Sequence, residues 1–510
     1  MTMRSEGLVE GGAERRLHPW SWLFVLIQQV KSFALPLIVL LFTGRGNSWE
    51  LWGLVGAGVL VLVSLGQYFT YRFRVEADGI VIRSGLLQKS LRNIPFTRIH
   101  NVALHQTLLH RFFGVAEVKL ESAGGMTAEG QMRVLSLADA HALEELVRSH
   151  GKAHATTDAT AEGDAQAPVV LLSLPPSEVI RLGLISNRGM LLVAAAFGLV
   201  AQTSGELLGK ALSGSAKSLA GLSRDMQLGV VSTVLGGLAL LLLLVVAIRL
   251  LSVVLALLQF HGFTLTEDGP RLSSQRGLLT RIRANMPRQR IQAWSLRESL
   301  THRWFGRRGL VVDSASVQAV NDQQSLRDLA PVATPEAIDA LIRHLLPGKT
   351  WPMQQWHPLH PRAWRRQFAI PALVALVLSA VAVWRLGPWG LAVLALLPLF
   401  FARARVWARH AGYSEESGLI AVREGWLDKR WRFAEVRKLQ SLRLSQSPFD
   451  RRHGMASVHM DTAGASPFEP PLRIRYLPEA EARALRERLA DAMDARAIPA
   501  RTAASAAPGS

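Results

Sequence analysis

The chain of 510 residues contains no cysteine. That removes disulfides, thiolate nucleophiles and cysteine-ligated zinc together. The short signatures of phosphate-cradling loops (GxxxxGK[ST]), zinc hydrolases (HExxH) and serine hydrolases (GxSxG) are missing as well. The sequence therefore reads as a non-enzyme that needs no cofactor and no metal. Acidic residues are scarce: 39 Asp and Glu against 58 Lys and Arg give a formal charge of +19. Such an excess suits nucleic acid, and it equally suits the anionic cytoplasmic face of a membrane. Mean hydropathy is +0.18 with 19% charged residues. A single soluble fold rarely has the first and a pure helical bundle rarely has the second. The chain is read as membrane spans joined to polar domains.

Charge is also missing locally. Leu51–Tyr71, Gly189–Gly205, Gln227–Ile248, Gln367–Trp384 and Leu386–Ala402 carry no ionisable Asp, Glu, Lys or Arg. A bilayer core about 30 Å thick needs about 20 helical residues. A sixth window, Ser21–Phe42, is interrupted by Lys31 beside Gln28 and Gln29. Six spans are expected, in three pairs with short connectors at Thr43–Glu50, Ser204–Met226 and Arg385–Gly390. The connectors hold only Arg45, Lys210, Lys217, Arg224 and Arg385, whereas Arg15/Arg16, Arg72/Arg74, Arg362/Arg365/Arg366 and Arg403/Arg405/Arg409 crowd the opposite ends. Positive charge stays inside. Both termini and all polar stretches are thus expected in the cytoplasm of a bacterium, with the spans in its inner membrane. No short apolar run with a small-residue cleavage site opens the chain, which favours an anchor over a cleaved signal. Gly53, Gly56, Gly58, Gly229, Gly236 and Gly237 are read as sites of close helix packing.

The polar stretches repeat one another. One glycine leads to another 29 positions on: Gly85 to Gly114, Gly277 to Gly306, Gly425 to Gly454. At fixed offsets between and beyond them stand Lys89/Arg281/Lys429, Arg98/Arg290/Lys438, Ile99/Ile291/Leu439, Leu104/Leu296/Leu444, Arg111/Arg303/Arg451 and Glu121/Asp313/Asp461. Asp78-Gly79, Asp268-Gly269 and Ser417-Gly418 are turn dipeptides before short aliphatic runs. The alternation in Val118-Lys-Leu-Glu and Val458-His-Met-Asp predicts strands with one buried face. Each unit closes on a helical stretch, Ala138–Ser149, Pro335–Leu346 or Pro478–Ala492, with Pro335 and Pro478 suited to a first turn.

The pattern Gly-Leu-Leu…Ile-Pro-x-x-Arg-Ile…Arg-x-x-Gly…Ser/Thr-Ala-Gly resembles the bacterial pleckstrin-homology-like (bPH2) domain of YdbS/YdbT-type membrane proteins. Arg16–Ser21 and Ile185–Gly189 resemble that family's lead-ins to helical hairpins. Glu435 in place of proline, and Ser316 where Gly124 and Gly464 stand, depart from the pattern. The resemblance implies an α+β membrane protein: three transmembrane helical hairpins, six helices in all, alternating with three PH-like split β-barrels, each capped by a C-terminal helix. The expected organisation is a cytoplasmic N-terminus over 1–20, hairpins over 21–71, 184–260 and 367–410, and PH-like domains over 72–150, 261–347 and 411–492. Linkers are expected over 151–183 and 348–366, and a disordered tail over 493–510.

Candidate residues fall into three sets. Lys89, Arg98, Arg281, Arg283, Arg290, Lys429 and Lys438 are read as contacts to lipid headgroups or an acidic partner, or else as solvated positive-inside residues. Trp426 and Trp431 suit the interface. Arg111 with Glu121, Arg303 with Asp313 and Arg451 with Asp461 are read as structural pairs between strands. Gln28, Gln29 and Lys31 form the one polar group inside a span, functional by default unless Lys31 snorkels to the surface. His100, His105 and His110, five apart, match no metal-binding helix. Trp294, Trp304 and Phe305 lie among basic residues, yet membrane tethering argues against nucleic acid. The function expected is binding: a scaffold or envelope-protecting role through anionic lipid or a membrane-protein partner. The alternative is a transporter or export component regulated by its PH-like domains, which requires Lys31, Gln28 or Gln29 to face a polar cavity. A lipid-modifying enzyme would need an Asp/Glu/His cluster drawn from several units.

Overall fold

The computed structural model describes residues 15–16, 21–24, 26–27, 58–59, 62, 66, 69–76, 79–85, 89–96, 99–122, 130–155, 168–203, 209, 214, 230–314, 326–463 and 471–494. Gln28, Gln29, Lys31 and Arg98 lie outside them. Four antiparallel sheets carry the modules. The first is β1 (Arg15–Arg16), β2 (Arg72–Val75), β3 (Gly79–Ser84) and β4 (Ser90–Pro95). The second contains β5 (Ile99–Gln106), β6 (Val115–Ser122), β7 (Gly130–Ser136), β8 (Val169–Ser173), β9 (Thr264–Asp268), β10 (Arg271–Arg276) and β11 (Arg281–Pro287), in the order 7-6-5-11-10-9-8. The third contains β12 (Ile291–Glu298), β13 (Arg308–Ser314), β14 (Asp328–Ala333), β15 (His357–Pro358), β16 (Gly412–Glu416), β17 (Leu419–Glu424) and β18 (Lys429–Glu435), in the order 14-13-12-18-17-16-15. The last is β19 (Leu439–Ser445), β20 (Met455–Thr462) and β21 (Arg473–Pro478).

The three modules are therefore joined rather than separate. The second half of one module and the first half of the next make one seven-stranded sheet. At the first junction β5 meets β11, with Gln106 opposite Arg281 and Leu104 opposite Arg283. At the second, β12 meets β18, with Glu298 opposite Lys429 and Ala293 opposite Ala434. The apolar core of the second module accordingly takes in Leu419, Ala421 and Phe433 from the third. Trp294 stacks on Phe433 across the junction, centroids 6.0 Å apart. The first module keeps a core of its own, from Phe73 to Val147.

The repeated glycines are backbone requirements. Gly85, Gly277 and Gly425 sit at φ of 115°, 112° and 87°, and Gly114, Gly306 and Gly454 at 64°, 60° and 63°. Only glycine adopts such angles without strain. A Cβ on Gly277 would stand 1.9 Å from the carbonyl oxygen of Thr280. Ser417 and Gly418, at φ 50° and 70°, form the left-handed pair that a tight hairpin between β16 and β17 demands.

Helices follow the repeat as well. The short α1 (Leu108–Phe112) begins at a threonine cap, Thr107. α2 (Leu137–Ala155), longer than the expected 138–149, covers the first module. α3 (Pro176–Ile185) and α4 (Arg188–Thr203) follow, and then α5 (Val230–Phe260). α6 (Leu300–Trp304) and α7 (Pro335–Leu345) repeat α1 and α2 in the second module. α8 (Ala363–Leu386), a 3-10 stretch Gly387–Leu396 and α9 (Leu397–His410) precede the third, where α10 (Pro448–Arg452) and α11 (Glu479–Asp494) complete the pattern.

Among the described residues two stretches are long and apolar enough to cross a bilayer, Val234–Phe260 and Ala363–His410. α3 and the start of α4 meet at 49° and together pass the same test. Leu235, Leu238 and Leu241–Leu244 are exposed, and hydrocarbon is the medium in which a helix apolar on every side rests. At 31 residues α5 is about 46 Å long, so it outruns the bilayer. Its last turns carry Ala256 and Phe260 fully into the second module's core. Gly387 (φ 64°) ends α8, and the chain folds back until Trp364 and Phe401 pack edge to face at 5.2 Å.

The segments 151–183 and 348–366, expected as linkers, carry structure. β8 pairs with β9 and α3 packs on α5. β15 pairs with β16, and Trp351, Met353 and Leu359 are buried. The open edge of each module's first sheet attracts whatever chain precedes the membrane helices, so apparent spacers become edge strands. The glycines expected to seat helices do not all do so. At Gly58, Gly236 and Gly237 a Cβ would have no atom within 4 Å, and the close approaches fall at Gly183, Gly189 and Gly390. Gly53, Gly56 and Gly229 lie outside the described residues.

Candidate anion-binding site

Of the described basic residues in the first candidate set, all but Lys89 lie at the module junctions. Arg281 and Lys429 occupy one position of the cross-module ladder, opposite Gln106 and Glu298. Arg283 lies 3.6 Å from Glu144 on α2 of the preceding module. Lys438 Nζ donates to the Ile291 carbonyl at 2.6 Å and pairs with Glu435 at 2.8 Å. Arg290 is half-buried at the end of the 3-10 turn before β12, and Lys89 is exposed just ahead of β4.

The second set also reaches across. Arg111 donates to the Leu278 carbonyl at 3.2 Å, and Arg303 to the Trp426 and Leu427 carbonyls at 3.0 and 3.3 Å. All three carbonyls lie in the turn ahead of the next module's third strand. Asp313 is held by Arg432 of β18 at 2.5 Å, with both side chains buried, and Arg327 stands at 3.9 Å. Glu121 falls on β6 opposite Asn101. Arg451 and Asp461 are exposed, and the Asp461 carboxylate accepts from the Thr462 backbone. The repeat marked these residues but not their partners, because partner choice depends on which module faces which.

A cavity of about 680 Å³ opens where α9 meets the third module. Leu399, Phe400 and Arg403 approach it from α9, Trp426 and Leu427 from the turn after β17, Arg430 and Arg432 from β18, and Arg473 and Arg475 from β21. The geometry follows from strand periodicity: residues two apart on a strand share a face, so each strand contributes two arginines. Five arginines stand against two acids, Glu424 and Asp428. Arg430 is taken by Asp428 at 2.5 Å, Arg475 by Glu424 at 3.4 Å and Arg432 by Asp313. Arg403 and Arg473 have no hydrogen-bond or ion-pair partner among the described residues. The Arg473 Nε is buried without an acceptor. Burial, then the charge of Arg475, holds the Arg473 guanidinium below the usual arginine value. His459, opposite Arg473 in the β20–β21 ladder, is held below the usual histidine value by burial and then by Arg473, Arg443 and Arg475. The pocket is thus a concentrated positive field, with an apolar wall of Leu399, Phe400, Trp407 and Trp426 beside it.

None of Arg403, Arg473 or Arg475 stands out in the sequence beyond its charge. The Arg-x-Arg spacing at 473 and 475, and at 430 and 432, was the available signal. His110, weighed for metal binding, instead closes the cap of α1: its ring nitrogen meets Thr107 Oγ1 at 2.6 Å. His302 does the same with Ser299 at 2.7 Å, and Asp450 with Ser447 at 2.6 Å. Among the described residues no group of three His, Asp or Glu is arranged for a metal.

A family model described as the bacterial PH domain matches residues 23–150, 223–346 and 368–493. The third match begins in α8, and each match ends at a capping helix. The chain is 21% identical over 487 residues to the transmembrane protein YdbT of Bacillus subtilis (strain 168), covering 92% of this chain and 96% of that protein. No solved structure matches the chain.

Proposed function

The chain belongs to the bacterial PH domain family, and on that premise we propose that it is a membrane-anchored binding protein whose third module holds an anionic lipid headgroup. The observation that carries this reading is the arginine cavity at the foot of α9, in which Arg403 and Arg473 have no partner among the described residues. Arg403 is exposed and Arg473 half-buried, and a half-buried cation with no close ion-pair partner is costly. A phosphate or phosphodiester supplies both charge and acceptors, and arginine binds it bidentately. The apolar wall gives the acyl chains a path to the bilayer. The three helical pairs are taken as transmembrane hairpins in a bacterial inner membrane, with modules and both termini in the cytoplasm. That side fits the arginine clusters at 362–366 and 403–409. The role is scaffolding or envelope protection rather than catalysis.

The test uses the full-length protein in detergent, titrated with phosphatidylglycerol or phosphatidylcholine and read by native mass spectrometry. Wild type retains phosphatidylglycerol preferentially. The Arg403→Ala/Arg473→Ala variant loses that preference by about tenfold, as the loss of one to two charge-assisted contacts implies. Equal retention of both lipids by wild type removes the headgroup reading.

A further inference from the structure

The two module junctions use one register. With the glycine repeats aligned, Gln106 opposite Arg281 is the same pair as Glu298 opposite Lys429, and Leu104 opposite Arg283 is the same pair as Leu296 opposite Trp431. The arginine of the short helix reaches the next module's turn at both places. The array nevertheless stops at two unlike edges. β4, which corresponds to β11 and β18, pairs only with β3 among the described residues. β19, which corresponds to β5 and β12, pairs only with β20 among them. Their burial reflects this: Leu91 on β4 is 71% exposed, and β19 has one buried residue where β12 has six. Exposed edge strands are templates for further pairing.

From this we infer that β19 of one copy pairs antiparallel with β4 of a second copy, in the register of the internal junctions. That register places Lys89 opposite Gln446, Ser90 opposite Ser445 and Leu91 opposite Leu444. It also makes a specific charge match. Asp313 and Arg432 form the buried ion pair of the second junction. Their repeat equivalents at the outer edges are Asp461, exposed on β20, and Arg92, exposed on β4. Arg451, exposed, holds the place from which Arg111 and Arg303 reach the next module. Each copy offers one edge of each kind, so the contact is heterologous. It propagates along the membrane as a ring or a row, continuing the order that the modules already have within one chain.

The absence of cysteine makes the test direct. Ser445→Cys and Ser90→Cys are placed on separately tagged full-length chains and co-expressed, and native membranes are treated with a short bismaleimide. The equivalent pair inside one chain, His105→Cys with Ile282→Cys, calibrates the reagent. A product carrying both tags is expected from the mixture and from neither variant alone. It is expected to be lost when Ser441→Cys replaces Ser445→Cys, four residues and about 13 Å along the strand. Asp461→Arg on the Ser445→Cys chain lowers the yield about tenfold, and Arg92→Asp on the other chain restores it. No two-tag product, equal product from Ser441→Cys, or linkage of either cysteine to its own kind or to a different protein overturns the inference.

Discussion

Glu435 is the residue at which the third repeat departs from the others, and the structure gives the reason. Its carboxylate is 2% exposed and bound by Arg437 and Lys438, and Lys438 also holds the Ile291 carbonyl of the second module. Burial by itself would raise its pKa, but the hydrogen bonds from Arg437 and Lys438 outweigh burial and hold it below the usual glutamate value. The carboxylate is thus charged wherever the unfolded residue is charged. Its contribution is complete above the ordinary glutamate range and is lost as pH falls through the lowered value. Glu435→Ala leaves Lys438 inside the junction without its counter-ion, at a cost of about 3 kcal/mol. Thermal unfolding in detergent checks this at pH 7. Between pH 5 and pH 3 the wild type should lose stability more steeply than Glu435→Gln. The sequence marked this position as exceptional, but it held no sign of the partner strand that makes the ion pair useful.

At the scale of elements, the legible features were those with a local cause. Turn dipeptides, glycines at positive φ, strand alternation and Pro335 in the first turn of α7 each placed an element within a few residues, whereas Pro478, expected in a first turn, ends β21 just ahead of α11. What was not legible depended on contacts distant in sequence. β8 and β15 are short and sit in stretches that read as linkers, because their pairing belongs to β9 and β16, more than fifty residues on in each case. The partners of Arg111 and Arg303 were hidden for the same reason, as was the arginine cavity, which needs α9, β18 and β21 together. Helix packing shows how position overrides composition. Gly236 and Gly237 lie on α5 with nothing near them, whereas Gly189 on α4 has the Ile248 carbonyl 2.5 Å from where a Cβ would stand, and its amide donates to Ser252 Oγ at 2.9 Å. Gly189→Leu should force α4 from α5 and cost about 1–3 kcal/mol, as overpacking does. Gly237→Leu, the matched change, should leave the melting temperature unchanged. Equal effects would mean that α4 and α5 do not pack as described.

For the whole molecule, the continuous helices matter most. α5 carries its apolar surface out of the bilayer and ends inside the second module's core, and the last turn of α9 buries Trp407 against the third. A module fused to a helix in this way has little freedom to turn away from the membrane. Its arginines stay at one depth, which a headgroup site requires. Arg405 covers the Trp364 and Phe401 rings at 4.7 and 5.6 Å, and Arg366 is paired with Asp450 at 2.9 Å. These cations are fixed at the end of the apolar stretch opposite Arg385. Positive charge decides which end faces inward, so the proposed topology puts the 385–390 connector outside and every module inside. In the cysteine-free chain a single thiol reports its side. Trp389→Cys, at a residue 83% exposed in the connector, should react with a membrane-impermeant maleimide in intact cells. Ser441→Cys on β19 should react only after the membrane is opened. The reverse pattern would turn the modules outward, remove them from the anionic cytoplasmic leaflet, and leave the arginine cavity without the lipid face that the binding role needs.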